Sequence, residues 1–520
     1  MINETFVDVL TRNAEKYPEK KILLSASKNY NYSEIENHST AIANYLKDLG
    51  IKSNDFIGIL SLNSPEFIVI SFAAWKIGGI LTSLNYTLKP EELIYIIQKT
   101  KFKCLFLDAR FLSNQQLFEI LVKTISNIVI IDTVIPKQQL QLAVNSNLYT
   151  ELIERYNKIT FQRINISANH PAVCIFTSGT TGAAKGVLLS HNNLISNIQD
   201  MILALKFQSN DIVINVLPMF HIFSFNCAAM LEIYESIPVY IVDKFTPKQT
   251  LLAIEKFKIT ILLAVPVMLK LLIIQQEKEK FNTESLRLVI SGGAALDEET
   301  FDNFQKIFNL PIYEGFGITE TAPVCALNPI GLPPLKKSIG KPLKSVKLRI
   351  VDEHGKDCQT NEPGELLIQG PNVMLGYYND ELATNEAIVD GWYKSGDVAV
   401  VDDNGNYYIV DRIKDMIIVN GLNVYPAEIE KHINSFDGII ESAVVGYNDR
   451  RHGEKIIAFV VVDETTEFDK LKLLKYLKEK LANYKVPDKI IKIAELPKSA
   501  IGKILKKELR AKMLEYLKEP

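Results

Sequence analysis

Short β-branched and aromatic runs recur along the first 300 residues, at 56–62, 104–108, 127–132, 172–178, 239–245 and 286–293. Each is too short for a typical helix and is rich in side chains that pack on a pleated surface, so each is predicted as a strand. Between them apolar positions fall near helical spacing, as in 33–50, with polar residues on the remaining face. This alternation predicts α/β architecture, a large N-terminal domain of stacked α/β sheets covered by helices. The longest apolar stretch, Phe67 to Leu84, is broken by Lys76 and Gly78-Gly79. It falls short of the roughly 20 apolar residues a membrane span needs and predicts a buried helix running into a strand.

From about residue 336 the chain becomes rich in Gly and Pro, with short strands and a His354-Gly355 turn, which predicts a small β subdomain over about 336–413. Within it Asp403-Asn404-Gly405 separates two strand-like runs, 397–402 and 407–413, as in a hairpin. After Lys414 the pattern resets. A β-rich piece leads to a helix over 426–436, strands at 442–447 and 456–463, a helix over 469–484 and a strand at 488–493. These roughly 100 residues have the size of one α+β domain. The expected organisation is an N-terminal domain, 1–413, that includes the β subdomain, and a C-terminal domain, 414–520. The Lys-rich stretch 468–480 is expected to be the solvated face of an amphipathic helix.

The 520 residues are 47% apolar, enough for a large core, and the formal net charge is -3. Such a balance carries no basic field for a nucleic-acid partner. The five cysteines, Cys104, Cys174, Cys227, Cys325 and Cys358, stand far apart with no CxxC pair. Neither a disulfide framework nor a zinc site is expected, and reduced thiols in the cytoplasm fit best. The first twenty residues mix charges and lack an apolar signal core, so a cytoplasmic protein without a transmembrane segment is expected.

Candidate chemistry begins at 177–186. Thr177, Ser178, Gly179, Thr180, Thr181, Gly182, Lys185 and Gly186 place four hydroxyls, three glycines and a lysine in ten residues after a predicted strand. Glycines let backbone N–H groups approach an anion, and the hydroxyls and lysine add donors suited to a polyphosphate. A polar surface loop would share this composition. The segment is not a Walker loop, because Ala184 precedes Lys185 and Gly186 follows it, so a P-loop kinase or ATPase is disfavoured.

Four further segments follow in order. They are Gly315-Phe316-Gly317-Ile318-Thr319-Glu320-Thr321, Gly391-Trp392-Tyr393-Lys394-Ser395-Gly396-Asp397, Asp411-Arg412-Ile413-Lys414-Asp415 running into Gly421 to Glu430, and Pro497-Lys498-Ser499-Ala500-Ile501-Gly502-Lys503. Together with 177–186 they resemble the acyl-adenylate-forming superfamily of AMP-binding enzymes. That superfamily includes acyl-CoA synthetases, coumarate-CoA ligases, luciferases and the adenylation domains of peptide synthetases. The resemblance spans nearly the whole chain. It implies an enzyme that uses ATP, Mg²⁺ and coenzyme A to convert a small-molecule carboxylic acid into its acyl-adenylate and then its thioester.

The resemblance also implies roles. Thr177 to Lys185 would hold the pyrophosphate, Thr319 the α-phosphate, and Glu320 the Mg²⁺; alone, a Thr-Glu pair would be an ordinary helix start. Gly292, Gly293 and Ala294 look like the adenine-side loop, with Phe316 and Gly317 near the base. Phe316 stands where the family often has tyrosine, and Glu314 where many members carry glutamine. Asp397 would accept from the ribose hydroxyls, with Arg412 as a second ribose or phosphate contact; alone, Ser395-Gly396-Asp397 is an ordinary turn. Lys503 is the candidate catalytic lysine, bridging the substrate carboxylate and the α-phosphate. Lys414 falls at the family's hinge position, and Gly421 in the loop presented to the thiol by a mobile C-terminal domain.

On the acid side, Leu217 to Phe225 offers only apolar or aromatic groups plus Ser224 and His221. Peptide-synthetase relatives place an aspartate here for an α-ammonium, so amino acids are disfavoured. His221 resembles the histidine lining the acyl and pantetheine passage of CoA ligases; a lone histidine among apolar residues is otherwise often a core residue. Val265 to Met268 would line a hydrophobic tunnel or be ordinary core. A medium- or long-chain fatty acid is the first expectation and an aryl acid the second. With no fused carrier domain expected after residue 520, free CoA is expected as the simplest acceptor and a separate carrier protein is the alternative. A non-catalytic relative is disfavoured by the retention of Glu320, Asp397 and Lys503.

Overall fold

Helix Pro65–Lys76 presents no face to solvent: all twelve of its residues are buried. Ser64 caps it by accepting the Phe67 N–H, and Pro65 occupies its first turn, where a missing N–H costs nothing. Trp75 stacks on Phe6 with ring centroids 4.8 Å apart and donates Nε1–H to the Ala172 carbonyl at 2.9 Å. Lys76 at the helix end is buried too, and its ammonium donates to Glu36 Oε1 at 2.5 Å and Thr40 Oγ1 at 2.7 Å. The chain then turns through Gly78-Gly79 into strand Ile80–Ser83, the expected buried helix followed by a strand.

The computed structural model describes residues 4–133, 147–177, 184–419, 422–449, 453–463, 466, 468–499 and 502–516. Every strand expected among the first 300 residues is present, as Phe56–Leu60, Cys104–Asp108, Ile128–Ile131, Pro171–Thr177, Val239–Ile241 and Leu288–Ser291. They belong to an eight-stranded and a nine-stranded sheet among the described residues. In the first, Ile80–Ser83, Phe56–Leu60, Cys104–Asp108 and Ile128–Ile131 run parallel at the centre. In the second, Val239–Ile241, Val213–Asn215, Ile261–Ala264, Leu288–Ser291 and Ile312–Gly317 are parallel, and Val324–Leu327 is added antiparallel. Near-continuous burial of these strands follows from helices on the sheet faces.

Packing divides the chain into two units, Met1–Lys347 with Ile368–Tyr393, and Leu348–Leu367 with Lys394–Pro520. The Gly- and Pro-rich stretch is thus shared between them, and it contains a helix, Glu381–Ala387, that the turn-rich composition had not suggested. The expected hairpin is strands Trp392–Val401 and Tyr407–Arg412, joined by a turn in which Asp402 Oδ1 accepts the N–H groups of Asn404 and Asn406. Farther on, strands Ile439–Asp449, Gly453–Val462 and Lys489–Lys492 form a three-stranded sheet. Helices Pro426–Asn434 and Lys470–Lys480 bury Ile429, Ile433, Leu473 and Leu477 against Val444 and Ile456. Leu509 of helix Lys506–Tyr516 packs with Ala443, Val445, Ile457 and Phe459, which point to the opposite face by strand alternation. Lys472, Lys475 and Lys478 of the Lys-rich helix are exposed, as its pattern required. Among the described residues, no helix is long and apolar enough to cross a membrane.

Candidate functional site

The hydroxyl- and glycine-rich segment joins two antiparallel strands, Pro171–Thr177 and Lys185–Ser190, whose register sets Thr177 opposite Lys185. These two residues stand side by side at the mouth of the connection. Ser178, Gly179, Thr180, Thr181 and Gly182 lie outside the described residues. A two-residue strand, Gly376–Tyr377, pairs with Leu188 and Val187 on the other edge of Lys185–Ser190. It brings the Tyr377 ring against Lys185, whose Nζ is 4.9 Å from the ring centroid.

Strand Ile312–Gly317 leads through Ile318 into a 3₁₀ turn, Thr319–Thr321. A Cβ at Gly317 would come within 2.6 Å of the Pro323 carbonyl carbon and 2.9 Å of Val324 Cα, so the strand and its return require glycine there. The turn is held by a distant segment. Asn372 Nδ2 donates to the Thr321 carbonyl at 2.8 Å, and the Met374 N–H donates to the Glu320 carbonyl at 2.8 Å. The Tyr377 hydroxyl donates to Glu320 Oε1 at 3.0 Å. Burial, and then the Glu320 carboxylate, push the Tyr377 phenol well up, so it keeps its proton and remains the donor. Lys185, Tyr377 and Glu320 thus form one series of contacts, with Thr319 buried at the same turn.

Gly292, Gly293 and Ala294 follow strand Leu288–Ser291, and Gly293 takes φ +80°, the left-handed region open to glycine. A Cβ at Gly292 would stand 3.3 Å from Phe223 Cζ and 3.5 Å from the Gly315 carbonyl oxygen. Three motifs separated in sequence therefore meet within a side chain's reach. Ser291 Oγ is buried here with no hydrogen-bond partner among the described residues, an orphan polar atom beside an open backbone turn. Glu314, the strand partner of Ser291, is buried and uses Oε1 to accept the Leu296 N–H at 3.1 Å. Burial raises its carboxyl to about 7, partly offset by that hydrogen bond. Phe316, half-buried, pairs with Ala326 on the next strand. His221 caps the short helix Ile222–Phe225, its Nδ1 accepting the Phe223 N–H at 3.2 Å, so a neutral ring carries its proton on Nε2.

The second unit gathers the remaining candidates. Asp397 and Arg412 are directly opposed in the hairpin, with Arg412 Nε 2.6 Å from Asp397 Oδ1 and Nη2 3.5 Å from Oδ2. Asp397 is only 3% exposed, and a buried carboxylate of this kind needs such a partner. Lys414 lies in the following turn, Ile413–Asp415, where Arg510 Nη2 donates to Asp415 Oδ1 at 2.8 Å. Lys503 closes a tight turn: its N–H donates to Ser499 Oγ at 3.2 Å, and its carbonyl accepts the Ser499 N–H at 2.8 Å. Loss of solvation, and then Arg412 and Lys414 against Asp397 and Asp415, push its ammonium down to about 8. Lys503 retains an exposed surface, and water there tempers the depression without reversing it. Gly421 lies outside the described residues.

The description AMP-binding enzyme matches residues 10–378, and AMP-binding enzyme C-terminal domain matches 428–503. The chain belongs to the AMP-binding enzyme family. Among its relatives, 4-coumarate–CoA ligase 1 of Arabidopsis thaliana is 30% identical over 98% of this chain and 93% of that protein. Long-chain-fatty-acid–CoA ligase of Yersinia pestis is 29% identical over 97% of this chain and 94% of that protein. The crystal structure of ATP-bound MatB from Rhodopseudomonas palustris has a TM-score of 0.86 at 28% identity, covering 98% of this chain and 99% of that one.

Sequence reasoning passed over Tyr377 and quoted Tyr393 only as a motif residue without a role. In the second unit it gave Arg510 no place beside the motif residue Asp415. Tyr377 lies in a short Gly-rich stretch with no periodicity, and only strand pairing brings it to Lys185. A cleft of about 380 Å³ lined by Val7, Thr11, Glu36, Lys76 and Arg163 contains none of the candidate residues.

Two measurements follow from the titrating groups. The raised Glu314 carboxyl favours the folded state when neutral, a contribution fully present below pH 4.5 and lost as pH rises through about 7. Glu314→Gln should therefore gain stability relative to the parent by about 1–3 kcal/mol between pH 4.5 and 8. Unfolding curves at stepped pH check this, and a pH-independent difference would contradict it. For Lys503, competitive acetylation with peptide mapping should show a midpoint near pH 8 that Arg412→Ala raises and Asp397→Asn lowers. A midpoint above pH 10 would remove Lys503 from the field of these residues.

Proposed function

We propose that this enzyme activates a medium- or long-chain fatty acid with ATP and passes the acyl group to coenzyme A. The observation that carries the polyphosphate end is the contact series Lys185–Tyr377–Glu320. It sets a cation beside the glycine-rich connection and a carboxylate within one tyrosine's length of it. The apolar acid is supported by the buried segment Leu217 to Phe225, where Phe223 closes on Gly292 and no acidic side chain is present to meet an α-ammonium.

In the first half-reaction a carboxylate oxygen attacks the α-phosphorus, the P–O bond to pyrophosphate breaks, and the acyl-adenylate forms. In this reading the segment from Thr177 to Lys185 receives the leaving pyrophosphate, and Thr319 contacts the α-phosphate. The turn at Gly292 to Ala294, with the orphan Ser291 hydroxyl, suits a base edge, and Phe316 supplies a ring for stacking. Asp397 and Arg412 fit the ribose side, where one accepts and the other donates. Among the described residues no cluster of three metal-ligating side chains occurs. Magnesium commonly takes one or two carboxylates and fills its shell with phosphate oxygens and water, so Glu320 alone fits as its protein ligand. Bound there, the ion would neutralise charge on the polyphosphate. In this reading the Lys503 ammonium offsets the charge that shifts from carboxylate to phosphate.

In the second half-reaction the CoA sulfur attacks the acyl carbon and AMP leaves with the bonding electrons. In this reading His221 serves the acyl and pantetheine side, Gly421 the loop offered to the thiol, and Lys414 the hinge between the domains 1–413 and 414–520. Incubation with ATP, Mg²⁺ and a panel of fatty, aryl and amino acids, with and without CoA, is followed by mass spectrometry. AMP, pyrophosphate and an acyl-CoA are expected from an apolar acid; adenylate that accumulates despite CoA would shift the acceptor to a carrier protein. AMP from no acid in the panel would overturn the reading. Lys503→Ala should lower acid-dependent AMP formation by about 10²-fold or more while preserving the circular dichroism spectrum. Lys414→Pro should spare adenylation and block thioester formation; equal loss of both would remove its hinge role.

A further inference from the structure

We propose that Tyr377 is the positioning residue of the polyphosphate end, orienting both the Glu320 carboxylate and the Lys185 ammonium; this rests on the reading of those two residues as magnesium and pyrophosphate ligands. Its backbone is fixed on both sides. The strand pair with Leu188 and Val187 clips it to Lys185–Ser190, its own N–H donates to Thr384 Oγ1 at 2.9 Å, and the next N–H, of Tyr378, donates to the Gly186 carbonyl at 2.7 Å. The side chain then meets one charge with each of its two parts. The ring face carries the Lys185 ammonium at 4.9 Å from its centroid, a cation–π geometry, and the hydroxyl donates to Glu320 Oε1 at 3.0 Å.

A phenol has one proton. Because that proton is directed to Glu320, the contact of 3.4 Å between the Tyr377 and Tyr393 hydroxyls has Tyr393 as donor. Tyr393, Tyr377 and Glu320 therefore form a directed chain that ends at the Thr319-Glu320 turn. A neutral tyrosine orients a cation and an anion without cancelling the formal charge of either. A lysine or glutamate in its place would neutralise one of them before a nucleotide arrived. A mere space-filler would need the ring and no hydroxyl aimed at a carboxylate.

Tyr377→Phe keeps the ring beneath Lys185 and deletes the bond to Glu320. Calorimetric binding of ATP to the full chain, with Mg²⁺ and in EDTA, separates the two charges. The substitution should weaken ATP binding about 10-fold in Mg²⁺, the scale of a lost hydrogen bond to a charged group, and leave binding in EDTA within about 2-fold. Tyr377→Leu, which also removes the ring, should weaken binding in EDTA by about 3-fold as well. KM for CoA should be unchanged in both. Wild-type Mg·ATP affinity in Tyr377→Phe, or equal losses with and without Mg²⁺, would overturn the proposal. A parent protein that binds no ATP in either condition would instead overturn the functional reading, and this inference with it.

Discussion

A helix with no solvent-facing side has to be enclosed, and helix Pro65–Lys76 imposes that requirement on the first unit. Its residues are apolar on every side except for a few polar groups, each with its own reason to be buried. Ser64 and Pro65 set its start, Glu66 accepts the Tyr30 hydroxyl at 2.8 Å, and Lys76 reaches Glu36 and Thr40 at its end. Phe6, Phe72, Phe225 and His191 close around Trp75, so elements from the amino terminus, from the Leu217–Phe225 region and from the helix after strand Lys185–Ser190 are drawn to one place. Burial of Trp75 alone removes enough apolar area to stabilise the fold by several kcal/mol, and its indole N–H is not left unsatisfied. Elements distant in sequence are thus brought together around this helix.

That arrangement decides where chemistry occurs. In open parallel sheets the loops beyond the carboxyl ends of strands are where backbone N–H groups and short side chains converge. The candidate residues of the first unit lie at such ends. Thr177 closes strand Pro171–Thr177, Gly292 follows Leu288–Ser291, Thr319 follows Ile312–Gly317, and His221 comes after Val213–Asn215. Close approach of backbone to backbone is obligatory there, which explains glycine at 317 and the left-handed turn at 293. A second consequence is that anion-binding groups are held by distant chain segments, as Asn372, Met374 and Tyr377 hold the turn containing Glu320.

Among the candidate residues, charge is handled differently in the two units. In the first, a neutral tyrosine mediates between Lys185 and Glu320, whereas direct pairs such as Lys76–Glu36 lie elsewhere in it. In the second, charges are paired directly, Asp397 with Arg412 and Asp415 with Arg510, and Lys503 joins them with its ammonium destabilised by lost water and neighbouring cations. An ammonium held in that condition gains more from an arriving anion than a fully hydrated one would, because part of its hydration has already been given up. The Lys506–Glu430 ion pair, 2.7 Å, ties the start of helix Lys506–Tyr516 to helix Pro426–Asn434.

The alternation of strands with amphipathic helices, the buried helix at 65–76, the hairpin around Asp403-Asn404-Gly405 and the α+β end of the chain were all legible in the sequence, because hydrophobic period and turn chemistry are local. The motif residues were legible for a related reason: glycine, hydroxyl and charged side chains at close spacing announce anion chemistry and family membership without any fold. What the tertiary structure alone decided is which motif touches which. Residues 316 and 326, 291 and 314, 397 and 412, or 185 and 377 become partners through strand pairing, and register depends on the whole sheet rather than on any window of sequence. Tyr377 is the clearest case, an unpatterned aromatic whose place is set by a two-residue strand on a sheet edge nearly two hundred residues away. The chain's own composition determined what kinds of groups could bind a nucleotide; only the packed sheets determined which of them stand together.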